Sequence, residues 1–255
     1  MGGTAISALT TVNLYKSNDL APFLITAAVL AVYAVVSWLL LQDAPGRTVP
    51  TTSLMSRINA NARLPITWQA CILYAVAFGG YVAFSVYLPA FLKTDYLLEP
   101  ADAANRMAGF VLLAVVMRPV GGWLSDRLTP ARVLAVALSV VIAGAVVQAF
   151  TPSLAPLGTI AFLAMAAALG AGSGATFALV AALAPANQVG SVTGVVGAAG
   201  GLGGFVPPLV MGVIYGQFQN YALGLVLLAV VALAALLLDV FSVAKAATRN
   251  IVRTT

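Results

Sequence analysis

Arg118 stands inside the apolar run Ala108–Leu124, where a guanidinium is costly enough that it usually marks a ligand or ion pathway. Only 7% of the 255 residues are charged and histidine is absent, so this cation is the strongest chemical signal in the chain. Its planar fork of donors can grip two oxygens of a flat anion at once, a geometry that a lysine ammonium does not offer. Two structural readings stand beside that one: pairing with an acid or with backbone carbonyls, and snorkelling toward the interface. The sequence sets no carboxylate at the same depth, because Asp126 and Asp239 fall toward helix ends, where both are expected to be interfacial.

Arg118 precedes Asp126 by two helical turns, a rise of ~12 Å against a hydrocarbon half-thickness of ~15 Å. The cation therefore sits near the bilayer midplane, and Arg118, Gly122 and Asp126 share one helix face. Nitrate, nitrite and carboxylates all match the fork. Tyr74, Phe78 and Tyr81 form an aromatic stripe at helical spacing, which either sandwiches a flat anion or packs against a neighbouring helix. A glycine-rich segment, Gly190–Pro208, holds small-xxx-small steps at Gly190/Gly194, Gly197/Gly201 and Gly200/Gly204, with Gly203 between. Pro207-Pro208 is expected to break that helix partway across the membrane, giving a kinked, sliding element; tight static packing is the alternative.

Other chemistry is excluded. Without histidine there is no Ser/His/Asp triad, and neither a Walker loop nor a zinc pattern occurs, so no metal, no cofactor and no enzyme activity is expected. The run Gly170-Ala171-Gly172-Ser173-Gly174 lies inside an apolar stretch, with no acid between Asp126 and Asp239 to hold a ribose, and is not a dinucleotide loop. Cys71 is the single cysteine and pairs with nothing internal.

The elements that must carry these residues are membrane helices. With 62% hydrophobic residues and a mean hydropathy of +1.03, the chain lies outside the range of soluble domains. Runs long enough to cross a bilayer recur at Ala21–Leu41, Trp68–Leu92, Ala103–Leu124, Val133–Phe150, Leu157–Leu183, Val192–Tyr215 and Tyr221–Val243. They are continuously apolar and too long for barrel strands, which predicts an all-α membrane protein of about seven spans. The first run is too long for a secretory signal core and is expected to stay in the membrane.

Seven spans put Arg47, Arg57, Arg63, Arg127, Arg132, Lys245, Arg249 and Arg253 on one side and Lys16, Lys93 and Arg106 on the other. The positive-inside rule then places the C-terminus in the cytoplasm, in a multi-pass protein of the cell membrane. The net charge of +5 is thus a topology signal and not a nucleic-acid footprint.

These residues resemble the C-terminal half of a major facilitator superfamily transporter, and more narrowly the nitrate/nitrite porter family. Gly190–Pro208 is similar to that family's second nitrate signature, and Gly122, Asp126, Arg127 and Arg132 are similar to the superfamily's cytoplasmic loop motif. The resemblance implies that Arg118 is the substrate-binding arginine and that Tyr74 and Phe78 contact substrate. It implies that Gly194, Gly197, Gly200, Gly201, Gly203 and Gly204 belong to a gating helix.

It also implies an organisation: a stub and first helix over 1–41, a cytoplasmic linker over 42–67, a six-helix transporter half over 68–243 and a basic tail over 244–255. Met1–Ser7 looks like the end of the family's first nitrate signature, so the chain is expected to be a truncated transporter lacking most of the N-terminal half and its second binding arginine. The expected partners are a small inorganic anion, membrane lipid and a separate N-terminal half. With no titratable group near the midplane, nitrate/nitrite exchange is favoured over proton symport. A permease for another small anion such as a carboxylate, and a non-transporting half-subunit, are the alternatives.

Overall fold

A computed structural model describes residues 20–41 and 53–243. The stub before Leu20, most of the linker and the basic tail after Val243 lie outside the described residues, and with them Met1–Ser7, Arg47, Lys245, Arg249 and Arg253. The described chain is all-α: α1 (Ala21–Leu40), α2 (Leu54–Ala62), α3 (Pro65–Asp95), α4 (Pro100–Arg127), α5 (Pro130–Ala149), α6 (Thr159–Leu183), α7 (Val189–Phe218) and α8 (Ala222–Leu238). Seven helices among the described residues are long and apolar enough to cross a membrane, all except α2.

Local chemistry sets the helix starts. Prolines open α3, α4 and α5, at the position where the missing N–H has no intrahelical partner to lose. Ser53 caps α2 by accepting from the Ser56 N–H at 3.3 Å, and Thr129 caps α5 by accepting from the Arg132 N–H at 3.4 Å. The helix α2 lies within the stretch expected to be the cytoplasmic linker. At the opposite end of the bundle, Gln148 is fully buried and donates to the Gly158 carbonyl at 2.7 Å. Tyr96 beside it donates to the Pro152 carbonyl at 2.9 Å, and burial followed by the Asp95 charge holds its hydroxyl above the usual tyrosine range.

The bundle α3–α8 packs as interleaved pairs: α4 on α6, α3 on α7, and α5 between α6 and α8. Its core centres on Leu73, Leu92, Phe110, Leu134, Met165 and Leu169, each at most 1% exposed. Large apolar residues remain uncovered outside, among them Val116, Leu202 and Phe205, as suits a surface solvated by lipid tails. Helix α1 is apolar all round and carries no buried residue in its span.

Two expectations are corrected. Helix α7 runs from Val189 to Phe218 without a break, with Pro207 and Pro208 inside it. The two prolines remove only two backbone donors, and the helix is clasped onto α3 across this stretch, where Gly203 faces Ala75 and the Tyr87 hydroxyl donates to the Pro208 carbonyl at 2.5 Å. Asp239, expected where a charge is solvated, is covered by protein: it is 1% exposed, and neither carboxylate oxygen has a hydrogen-bond partner among the described residues. The end of α8 folds onto α3 and α5 here, fastened by the Gln69 amide donating to the Ser242 hydroxyl at 2.6 Å, and that packing covers the carboxylate.

Candidate functional site

Arg118 is half-buried on α4, and its Nη2 donates to the Tyr74 hydroxyl at 2.9 Å. Three aromatic rings surround the guanidinium. Its Cζ lies 5.7 Å from the Tyr74 centroid, 6.0 Å from Phe78 and 5.3 Å from Phe177, within or at the range where a ring quadrupole attracts a cation. Tyr74 and Phe78 are nearly parallel, 5.1 Å apart at 9°, and Phe177 meets Tyr74 edge-on at 4.7 Å. The rings and the Tyr74 hydroxyl hold the guanidinium in one place, so its charge is oriented before an anion arrives.

Each wall of this cage is fixed from behind. A Cβ at Gly174 would collide with the Arg118 carbonyl, one at Gly170 with the Ala114 carbonyl, and one at Gly121 with the Ala171 carbonyl. Helices α4 and α6 therefore touch backbone to backbone, and the arginine is mounted on that contact. On the other side, a Cβ at Gly200 would run into the Tyr74 ring, so this α7 glycine gives the tyrosine its place. Toward the α2 end, Ala70, Cys71, Val180, Val192 and Val196 form a buried apolar cluster with Tyr74. Beyond it the Ser191 hydroxyl donates to Asn61 at 3.1 Å, tying α2 to the start of α7.

The structure thus brings Arg118, Tyr74, Phe78 and Gly200 together. Tyr81 continues the stripe, its ring 5.9 Å from that of Phe78, and is 3% exposed in the main core. Gly203 and Gly204 press against Ala75 and Val82 of α3, whereas Gly190, Gly194, Gly197 and Gly201 face open space among the described residues. Asp126, Arg127 and Arg132 lie at the α4–α5 corner, about 12 Å from Arg118 at Asp126, whereas Gly122 sits one turn from Arg118, beside Gly174 of α6. Asp126, Arg127 and Arg132 are exposed there, and the Arg127 guanidinium stacks 4.3 Å over Trp123.

Phe177 is the site residue that sequence reasoning missed. The signal was present in Gly170, Gly174 and Phe177, spaced four and three apart on one face of α6. The two glycines admit the backbone of α4, and the next residue on that face reaches what α4 carries.

The order and packing of these helices have counterparts. A family model described as Major Facilitator Superfamily matches residues 70–251. The chain belongs to the major facilitator superfamily. It is 47% identical over 241 residues to a probable nitrate/nitrite transporter, NarK2, of Mycobacterium tuberculosis, covering 92% of this chain and 60% of that protein. It is 36% identical over 189 residues to a nitrite extrusion protein of Bacillus subtilis, covering 74% of this chain and 47% of that protein. Among solved structures of the superfamily, FucP in its outward conformation superposes with a TM-score of 0.65 at 20% identity, over 87% of this chain and 54% of that one. The chain therefore spans about half to three-fifths of the superfamily members it matches.

Proposed function

We propose that this chain is the C-terminal portion of a nitrate/nitrite porter, in which Arg118 clamps the anion and Tyr74 and Phe78 wall it. The observation that carries the reading is the Arg118–Tyr74 hydrogen bond at 2.9 Å inside the three-ring cage. A fork-shaped donor between flat rings selects a small planar anion by charge and shape, and both relatives described above are named for nitrate or nitrite. Phe177 adds the third wall.

The linker of 42–67 joins the stub and α1 to the transporter half of 68–243, and the basic tail of 244–255 lies in the cytoplasm with α2, by the bias of basic residues toward that side. Transport proceeds by rocking of this half against an N-terminal half that brings the second arginine. The open face of α7, with Gly194, Gly197 and Gly201, meets that half, while Gly200, Gly203 and Gly204 hold the helix on α3. Gly122, Asp126, Arg127 and Arg132 serve the cytoplasmic corner. Exchange of nitrate for nitrite is the favoured mode, since the cage contains no carboxylate side chain to relay a proton.

Counterflow in proteoliposomes tests this, with the chain alone and co-expressed with an N-terminal half. Labelled nitrate is expected to exchange with internal nitrite only in the paired sample, and acetate is expected to compete poorly. Equal exchange with acetate would redirect the reading to a carboxylate permease. No exchange in the paired sample would leave a non-transporting fragment.

A further inference from the structure

A second concavity, sharing none of the cage residues, runs between α3, α7 and α8 with a volume of about 520 Å³. It exists because α8 leans on α5 and touches α7 little, and because small residues, Ala75, Ala83, Ala199 and Gly203, line it. Trp68 and Tyr87 also line it, separated along α3 by about 28 Å of helix, nearly the ~30 Å of a hydrocarbon layer. That length leaves a channel about one hydrocarbon chain wide.

The lining offers a polar ligand almost nothing. Its two side-chain donors with nitrogen or oxygen are already used: the Trp68 indole N–H donates to the Ala62 carbonyl at 2.8 Å, and the Tyr87 hydroxyl to the Pro208 carbonyl. The occupant must be hydrocarbon. Outside the Trp68 end of the channel a basic residue is close in sequence: Arg63 follows Ala62, the residue that fixes the Trp68 ring, and is exposed at the end of α2. A tryptophan beside a basic residue is the arrangement expected at the level of lipid headgroups.

We propose that this groove binds one anionic phospholipid, with an acyl chain in the α3–α7–α8 channel and its phosphate on Arg63. The lipid lies along Ala199–Met211 of α7, beside the contacts that Ala75 and Tyr87 of α3 make with Gly203 and Pro208.

The test is native mass spectrometry of the 255-residue chain, extracted from vesicles of equal phosphatidylglycerol and phosphatidylcholine. The chain is expected to retain one phosphatidylglycerol. Ala83→Phe, which fills the channel, is expected to lose it, and Arg63→Gln to reduce the preference for phosphatidylglycerol about fivefold. An unchanged adduct in Ala83→Phe, or an unchanged preference in Arg63→Gln, overturns the proposal. So does displacement of the lipid by a co-expressed N-terminal half, which would make the channel a helix-docking surface. Should Ala83→Phe not fold, Trp68 is read directly in a Trp38→Phe, Trp123→Phe chain. Brominated phosphatidylglycerol is expected to quench it more than brominated phosphatidylcholine at equal mole fraction, and equal quenching contradicts the site.

Discussion

The α4–α6 and α3–α7 contacts are both built on glycine, yet they use it to different degrees. In the first, Gly121, Gly170 and Gly174 each face a carbonyl of the opposing helix, and Arg118 rides on the locked pair. In the second, Gly79 of α3 and Gly200, Gly203, Gly204 and Gly212 of α7 are engaged, and five further glycines of α7, Gly190, Gly194, Gly197, Gly201 and Gly216, meet nothing among the described residues. The difference separates two jobs. One helix pair holds a cation in a fixed place, and the other holds a helix by part of its length while leaving one of its faces open among the described residues.

Substitution at Gly174 breaks the comparison most severely. Gly174→Leu drives a side chain into the Arg118 carbonyl and is expected to destabilise the chain by ~1–3 kcal/mol or more and to abolish anion binding. Gly201→Leu, in open space, is expected to shift the melting temperature of this chain by an amount worth less than ~0.5 kcal/mol. Thermal unfolding in detergent compares the two, and equal destabilisation would erase the distinction between the helix pairs.

Next in size is the fork itself. Arg118→Lys in the complete assembly is expected to weaken nitrate binding about ten- to a hundredfold, because charged hydrogen bonds of ~1.5–3 kcal/mol are lost while the charge stays. Phe177→Ala is expected to cost less, about two- to tenfold, from the loss of one cation–π wall. Titration of nitrate against each variant checks the ranking, and a Phe177→Ala loss exceeding that of Arg118→Lys would mean that packing, not the fork, governs the site.

The smallest effect concerns Asp239, buried without a hydrogen-bond partner among the described residues. Asp239→Asn removes a charge that is costly to bury, so it is expected to leave nitrate affinity unchanged and the melting temperature equal or slightly higher. A loss of nitrate affinity would show that the Asp239 carboxylate acts electrostatically on the Arg118 cage.

Seven spans were readable because lipid demands long, continuously apolar runs, and Arg118 was readable because cost makes a buried cation rare. Tyr74 and Phe78 followed from helical spacing. What escaped depended on neighbours. Gly170 and Gly174 looked like composition until α4 stood against them, and Phe177 carried no mark of its own beyond sharing their face. The prolines of α7 predicted a break that packing on α3 overrides. Asp239 was placed at the boundary by its position in the span, which does not reveal that α3 and α5 close over it. The short helix α2 was hidden because its tertiary fastenings, Asn61 to Ser191 and the Ala62 carbonyl to the Trp68 indole, come from outside the helix.

The central claim is that the Arg118 fork, held among three rings, is the anion's binding group. Its most direct test is the nitrate-induced rise in melting temperature of the paired halves, measured with Arg118 and with Arg118→Lys. A ligand that binds only the folded state stabilises it in proportion to the logarithm of its occupancy ratio, so the account predicts a clear rise with arginine and almost none with lysine at the same nitrate concentration. An equal rise in both would contradict it.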